Sequence, residues 1–340
     1  MRKKIIGGSV AVLLAILWLW PAPTLVLEEN PLRATGERGV LVIAHGGGNL
    51  EFPDNTLEAY YHAFSIDPQV MMEADVSITA DGVIILSHDT TLDQKTMLLE
   101  ANIHETSYAF LVDEAIDFGY QNDVFPSSNG FNVSGIHRKY TDYQGRPRTP
   151  LDVVYPEGVE ARHPQKFLVT TLEDLIKAFP DNLLNIEIKQ QDAIGQDALA
   201  GVLTLMADLD AEYNTFARIV LASFHQDIYE AMVEAKATYP QLMISPQQDG
   251  VLRFFVTQLL GFNLFFNEPV HAFQLPLSQF NIPLQSRRLI RTAHRHNVAV
   301  HYWTIDDPEV MRDLIERGAD GIMTNRPTLL REVIDSMAND

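Results

Sequence analysis

Between Val40 and the C-terminus, eight short β-branched or apolar runs break off abruptly, and most give way to a longer run of helical periodicity. Strands are predicted over Val40–Ala44, Val70–Val76, Leu183–Ile188, Arg218–Ser223, Gln241–Ser245, Ala272–Leu275, Ala299–Trp303 and Gly321–Met323. Helices are predicted over Asn55–Ser65, Leu172–Phe179, Ile194–Leu209, Gln226–Tyr239, Ser286–Asn297, Pro308–Arg317 and Thr328–Met337. Strands joined through helices run parallel, because a parallel pair needs a crossover too long for a hairpin. Eight of them predict an α/β fold, the TIM (β/α)8 barrel, with a doubly wound open sheet as the rival. Polar residues with chemical potential recur at the ends of several different strands, which favours the barrel.

Three stretches stand outside this alternation. Arg2, Lys3 and Lys4 precede an apolar run from Ile5 to Trp20, the charge pattern of a secretory signal or signal anchor over residues 1–27. No small-residue cleavage site follows, and Trp18 and Trp20 suit a membrane interface. An anchor holding the catalytic domain outside the cytoplasm is therefore expected, with secretion after cleavage as the alternative. Residues 28–39 read as a linker and 40–340 as the barrel. Residues 96–165 are polar and turn-rich, as a lobe inserted after the second strand would be. The third stretch, 251–273, is apolar nearly all round. It is either a buried barrel helix or an apolar lip for an acyl chain or membrane surface.

Charge and composition narrow the function. A net charge of −20 leaves no basic footprint for nucleic acid, and it repels anionic substrates unless a metal or local cations invert the field. The chain has no cysteine, which removes disulfides, Cys-ligated zinc and thiol nucleophiles.

The chemistry is concentrated in a few strands. Glu73 and Asp75, two apart on an apolar strand, point to one face and make a hard-cation pair for Mg²⁺ or Ca²⁺. Glu187 and Lys189 repeat that spacing; Glu187 would complete the oxygen site and Lys189 meet an anion in the same cavity. His45 and His88 each stand just beyond a strand-like run. Three carboxylates, a lysine and two histidines on one rim spell metal-assisted phosphoryl chemistry, with the histidines moving protons. Oligomeric state is not fixed by any of these features.

The motifs "HGG…PDNTLEA", "EADVSITADGVIILSHDTTLD", "NIEIK", "YWTIDD" and "GADGIMTNRP" occur in that order. Together they resemble the glycerophosphodiester phosphodiesterase family. The resemblance implies a TIM barrel with an inserted lobe and divalent-cation-dependent hydrolysis of glycerophosphodiesters to glycerol 3-phosphate and an alcohol. It implies His45 and His88 as an acid/base pair, Glu73, Asp75 and Glu187 as metal ligands, Lys189 as a phosphate contact and Trp303 as a pocket wall. The segment 251–283 is similar to the membrane-associated lysophospholipase D branch, which implies lysophospholipids as further substrates. A phosphatidylinositol-type phospholipase C, another metal-dependent barrel hydrolase, and an anchored lipid-binding protein are the rival readings.

Two positions depart from the family. His-Arg-Gly is here His45-Gly46-Gly47, and Pro-Glu-Asn-Thr is Pro53-Asp54-Asn55-Thr56. A glycine cannot replace a guanidinium's grip on phosphate. The expectation is that a cation of the lobe stands in, from among Arg138, Lys139, Arg146, Arg148 and Arg162. The glycines themselves are expected to let the backbone pass close to the phosphate.

Overall fold

The computed structural model describes residues 29–35, 39–122, 125–126, 132–133, 137–247, 250–251, 253–254, 266, 268–279 and 282–338. The segment predicted as signal or anchor, and much of 251–273, lie outside them. Among the described residues no helix is long and apolar enough to cross a membrane.

All eight predicted strands form: β1 (Leu41–Ala44), β2 (Met71–Ile78), β3 (Leu184–Ile188), β4 (Ile219–Ala222), β5 (Met243–Ile244), β6 (Ala272–Leu275), β7 (Ala299–Tyr302) and β8 (Gly321–Thr324). They pair in parallel in the order β5-β4-β3-β2-β1-β8-β7-β6. Each strand neighbours its predecessor, whereas a doubly wound sheet reverses partway, so the rival topology is excluded. At the open seam the His271 amide donates to the Ile244 carbonyl at 2.9 Å, and the cylinder is nearly closed. Ile84–Leu86 adds a short antiparallel strand to β2.

Among the described residues, the longer helices wrapping the strands are α1 (Leu57–Ile66), α2 (Leu172–Ala178), α3 (Asp192–Tyr213), α4 (Gln226–Ala235), α5 (Arg287–Arg295), α6 (Pro308–Arg317) and α7 (Pro327–Ala338). Thr56, Thr171, Ser286 and Asp307 cap four of them by accepting a first-turn amide. Each such cap is worth about 1 kcal/mol and fixes where a strand-to-helix loop ends.

Strand parity divides the apolar residues into two layers. Leu41, Ile43, Met71, Val220, Met243, Ala272, Ala299 and Met323 fill the barrel interior. Their neighbours Val42, Met72, Ala74, Val76, Ile186, Leu221, Val300 and Ile322 face the helices. Glu73 and Asp75 share the parity of Met71, so the pair points inward above an apolar floor. A one-residue slip of β2 would drive both carboxylates into the helix layer, which strongly fixes the register.

The stretch read as linker includes part of the barrel floor. Leu32 is fully buried in the interior cluster, its carbonyl lies 2.9 Å from His301 Nε2, and Asn30 Nδ2 donates to the carbonyls of His271 and Asn297. Leu32 thus plugs the end of the barrel opposite the histidine rim.

The described part of 96–165 is built of short pieces, including a helix over Tyr108–Asp113 and a pairing of Tyr120–Asn122 with His137–Lys139. Its Ile103, Leu111 and Phe118 form a small core together with Ile85, Leu92 and Val169, which flank the segment. The Tyr140 hydroxyl donates to the Asn49 carbonyl, and the Tyr143 amide to that of Leu50. These bonds dock the lobe on the loop that carries His45.

Of the four phenylalanines that an apolar lip at 251–273 would present, Phe254 and Phe266 are buried. They pack on Phe273 and His296 in the core. Phe255 and Phe265 lie outside the described residues.

Candidate active site

Strand β1 ends in a tight turn at His45–Gly47, and its geometry gives the glycines a packing role. Gly46 has φ +54°, and a Cβ there would lie 2.7 Å from Asp54 Cβ; one on Gly47 would lie 2.7 Å from Ala59 Cβ. The glycines admit Asp54 and helix α1, and Gly46 also borders a cavity beside His45. The Gly46 amide donates to Glu73 Oε2 at 2.7 Å, so the turn and the first carboxylate are bound together.

Parallel pairing sets Asp75 of β2 opposite Glu187 of β3. One oxygen each from Glu73, Asp75 and Glu187 lie within 4.8 Å of one another, a group that can hold a metal ion. Asn55 fixes Asp75 from outside, its amide nitrogen donating to Oδ2 at 2.9 Å while its carbonyl accepts the Asp75 amide at 3.0 Å. Lys189 Nζ lies 2.8 Å from Glu187 Oε1 and 3.5 Å from Asp75 Oδ1.

The electrostatics favour a divalent cation. With every group ionised, three carboxylates and one ammonium leave two negative charges over. Burial, with Asp75 beside it, pushes Glu73 up to about 8. Burial and Asp75 also raise Glu187. Lys189 is raised as well: burial opposes its charge, but Asp75 and Glu187 outweigh it. Carboxylate oxygens at this density match the hard-donor preference of Mg²⁺ or Ca²⁺.

A pH signature follows. A carboxylate raised in the fold stabilises it fully below its unfolded value, and that stability is lost as pH rises through the folded value. For Glu73 the window runs from 4.5 to about 8. A cation reverses the penalty, so the gain in Tm on adding Mg²⁺ or Ca²⁺ is predicted to grow across that window. Scanning calorimetry at several pH values checks this, and a gain that shrinks with rising pH would contradict it.

The two histidines differ in their supports. His45 Nδ1 lies 2.6 Å from Asn325 Oδ1, and Asp306 holds Asn325 through its side-chain and backbone amides, each at 2.8 Å. Asn325 Oδ1 then accepts the Nδ1 proton and leaves Nε2 for chemistry. Burial alone would lower the His45 pKa, but Glu73, Asn325, Asp75 and Asp54 together raise it. His88, half exposed, has Asp89 at 3.2 Å, and that hydrogen bond drives its pKa up to about 9.

Two cavities meet at these residues, with His45, Asp75 and His88 bordering both. One, about 190 Å³, opens over the barrel mouth and holds Glu73, Glu187 and Lys189 against Phe224, Pro246, Val251, Pro276 and Trp303. Phe224 and Trp303 meet edge to face at 5.6 Å. The other, about 320 Å³, runs under the lobe past Asp54, Gln94, Lys95, Gln121 and Thr141.

All seven residues singled out from sequence therefore converge on one cavity. The five basic residues offered from the lobe do not: none is among those lining either cavity. Arg146 and Arg148 pair with the buried Asp142, Arg162 with Glu58, and Lys139 with Asp117, while Arg138 bonds Thr141. Buried or half-buried carboxylates of their own claim four of them. Sequence reasoning missed Asn55, Asn325, Asp306 and Lys95. The first three lie inside the quoted motifs "PDNT", "MTNRP" and "TIDD", where position in a motif was the available signal.

A parallel barrel with carboxylates, a lysine and two histidines gathered at the C-terminal ends of its strands defines a phosphoryl-transfer hydrolase with a metal site. The model of the glycerophosphoryl diester phosphodiesterase family matches residues 45–329. The chain belongs to that family, and its activity is glycerophosphodiester hydrolysis. Lysophospholipase D GDPD1 of Homo sapiens is 24% identical over 93% of this chain and 91% of its own length. A probable glycerophosphodiester phosphodiesterase 2 of Mycobacterium tuberculosis is 28% identical over 87% of this chain and 91% of its own. The structure of an Oleispira antarctica phosphodiesterase in complex with the product sn-glycerol-3-phosphate superposes with a TM-score of 0.57. It is 18% identical and covers 87% of this chain and 96% of that one.

Proposed function

We propose that Glu73, Asp75 and Glu187 hold a divalent cation, Mg²⁺ or Ca²⁺, beside which His45 and His88 move protons during hydrolysis of the diester to glycerol 3-phosphate and an alcohol. The observation that carries this reading is the carboxylate group bordered by two differently supported histidines at the meeting of two cavities. A cation there supplies positive charge to the phosphoryl oxygens. Lys189 adds its ammonium from the same wall. His88, charged at neutral pH, is the acid that protonates the leaving oxygen. His45, with Nε2 free of Asn325, is the base for the attacking hydroxyl, whether of water or of the substrate's own glycerol.

We further propose that lysophospholipids are substrates, taken from a membrane to which residues 1–27 anchor the chain, with the barrel outside the cytoplasm. The support is the apolar wall of Phe224, Pro246, Val251, Pro276 and Trp303 on the cation side. The similarity to a protein named lysophospholipase D adds to it. Glycerophosphocholine and a lysophosphatidylcholine offered side by side to the full-length chain in mild detergent separate the two substrate classes, with free choline as readout. Choline is predicted from both, and Phe224→Ser is predicted to lower the lipid rate more than the water-soluble one. No choline from the lipid would remove the lysophospholipase D reading and leave the first intact.

A further inference from the structure

The two departures from the family pattern, Gly46 and Asp54, touch each other in this fold. Position 46 has no room for a side chain, since a Cβ would lie 2.7 Å from Asp54 Cβ with the backbone in the left-handed region. Whatever positive charge serves the polar cavity must come from another element. Among the described residues lining the two cavities, the cationic side chains besides the histidines are Lys189, in the first, and Lys95, in the second.

Lys95 is buried, with its side chain 7% exposed, and its Nζ lies 3.0 Å from Asp54 Oδ1 and also donates to the Asp54 carbonyl. A lysine ammonium has three donors. Asp54 takes two and holds the group still, which leaves one for a ligand. Tyr120 donates its amide to the Lys95 carbonyl, so the lobe fixes the backbone as well. Asp54 in turn bonds Asn55, which clamps Asp75, so the lysine is linked to the carboxylate site through two side chains.

We propose that Lys95 is the phosphate-binding cation of the polar cavity, held by Asp54 and contacting the phosphate that His45 and His88 act on. This rests on the phosphodiester reading of the site. Asp54 fills the space a side chain at 46 would need and also holds Lys95, so Gly46, Asp54 and Lys95 act as one unit.

The test uses the full-length chain as wild type, Lys95→Arg, Lys95→Met and the double variant Lys95→Met/Asp54→Asn. Kd for sn-glycerol 3-phosphate is measured calorimetrically with Mg²⁺ present, KM and kcat with glycerophosphocholine, and Tm for folding. Lys95→Met is expected to weaken product binding and raise KM at least about tenfold, the size of one lost charge-assisted hydrogen bond. The double variant, which leaves no unpaired carboxylate, is expected to stay as weak, and Lys95→Arg to recover part of the affinity. Wild-type affinity in the double variant would overturn the proposal, because Lys95 would then only balance Asp54. Unchanged product affinity in Lys95→Met would overturn it as well. If the wild type failed to hydrolyse the diester, the activity would fall, while the titration with sn-glycerol 3-phosphate would still decide on Lys95.

Discussion

His45→Gln is expected to lower kcat with glycerophosphocholine by about 10²- to 10⁴-fold, the usual worth of a positioned acid/base group. Three features set that size. The half-buried ring sits on the turn that Gly46 bonds to Glu73, Asn325 fixes its Nδ1 at 2.6 Å, and its Nε2 is the atom left for proton transfer. Glutamine keeps much of the shape and a polar end but does not exchange a proton near neutral pH. The variant should therefore still gain Tm from Mg²⁺ as the wild type does, since the carboxylates are untouched. A loss under about tenfold would remove His45 from the chemistry. A lost metal response would mean that the ring supports the cation site instead.

The second large effect is at the carboxylates. Glu73→Gln/Asp75→Asn removes the negative charge from two of the three carboxylates whose oxygens lie within 4.8 Å of one another. Activity should fall by well over about a hundredfold, beyond what changes outside the coordination sphere produce. The metal-free double variant is expected to melt no lower than wild type, because the crowding that pushes Glu73 to about 8 is relieved. Its Tm should no longer respond to added cation. Loss of activity with a lowered metal-free Tm would point to folding damage, so the two measurements belong together.

How much of this was legible in the sequence depended on the scale of the feature. The strands and helices were, because barrel strands buried on both faces read as apolar runs and the helices carry caps and period. Glu73, Asp75, Glu187 and Lys189 were legible because period-two spacing on an otherwise apolar strand has a single geometric meaning. Which basic residue reaches the polar cavity was not. Arg162 and Arg148 were offered and Lys95, one residue before the lobe, was not; only the fold shows that Glu58 and Asp142 have claimed those two arginines. The packing role of the glycines was hidden for a related reason: a Cβ at Gly46 would meet Asp54, eight positions on. The floor contributed by Leu32 was hidden too, since a single leucine in a polar stretch has no periodicity to announce it.

The most direct test follows the phosphorus itself. Glycerophosphocholine is incubated with the full-length chain and Mg²⁺ or Ca²⁺, and phosphorus NMR records the diester signal turning into that of a monoester. The account predicts glycerol 3-phosphate and choline in equal amounts, none after chelation, recovery when the cation is returned, and none from Glu73→Gln/Asp75→Asn. Undiminished turnover in that double variant, or in the presence of chelator, would contradict the metal-centred site.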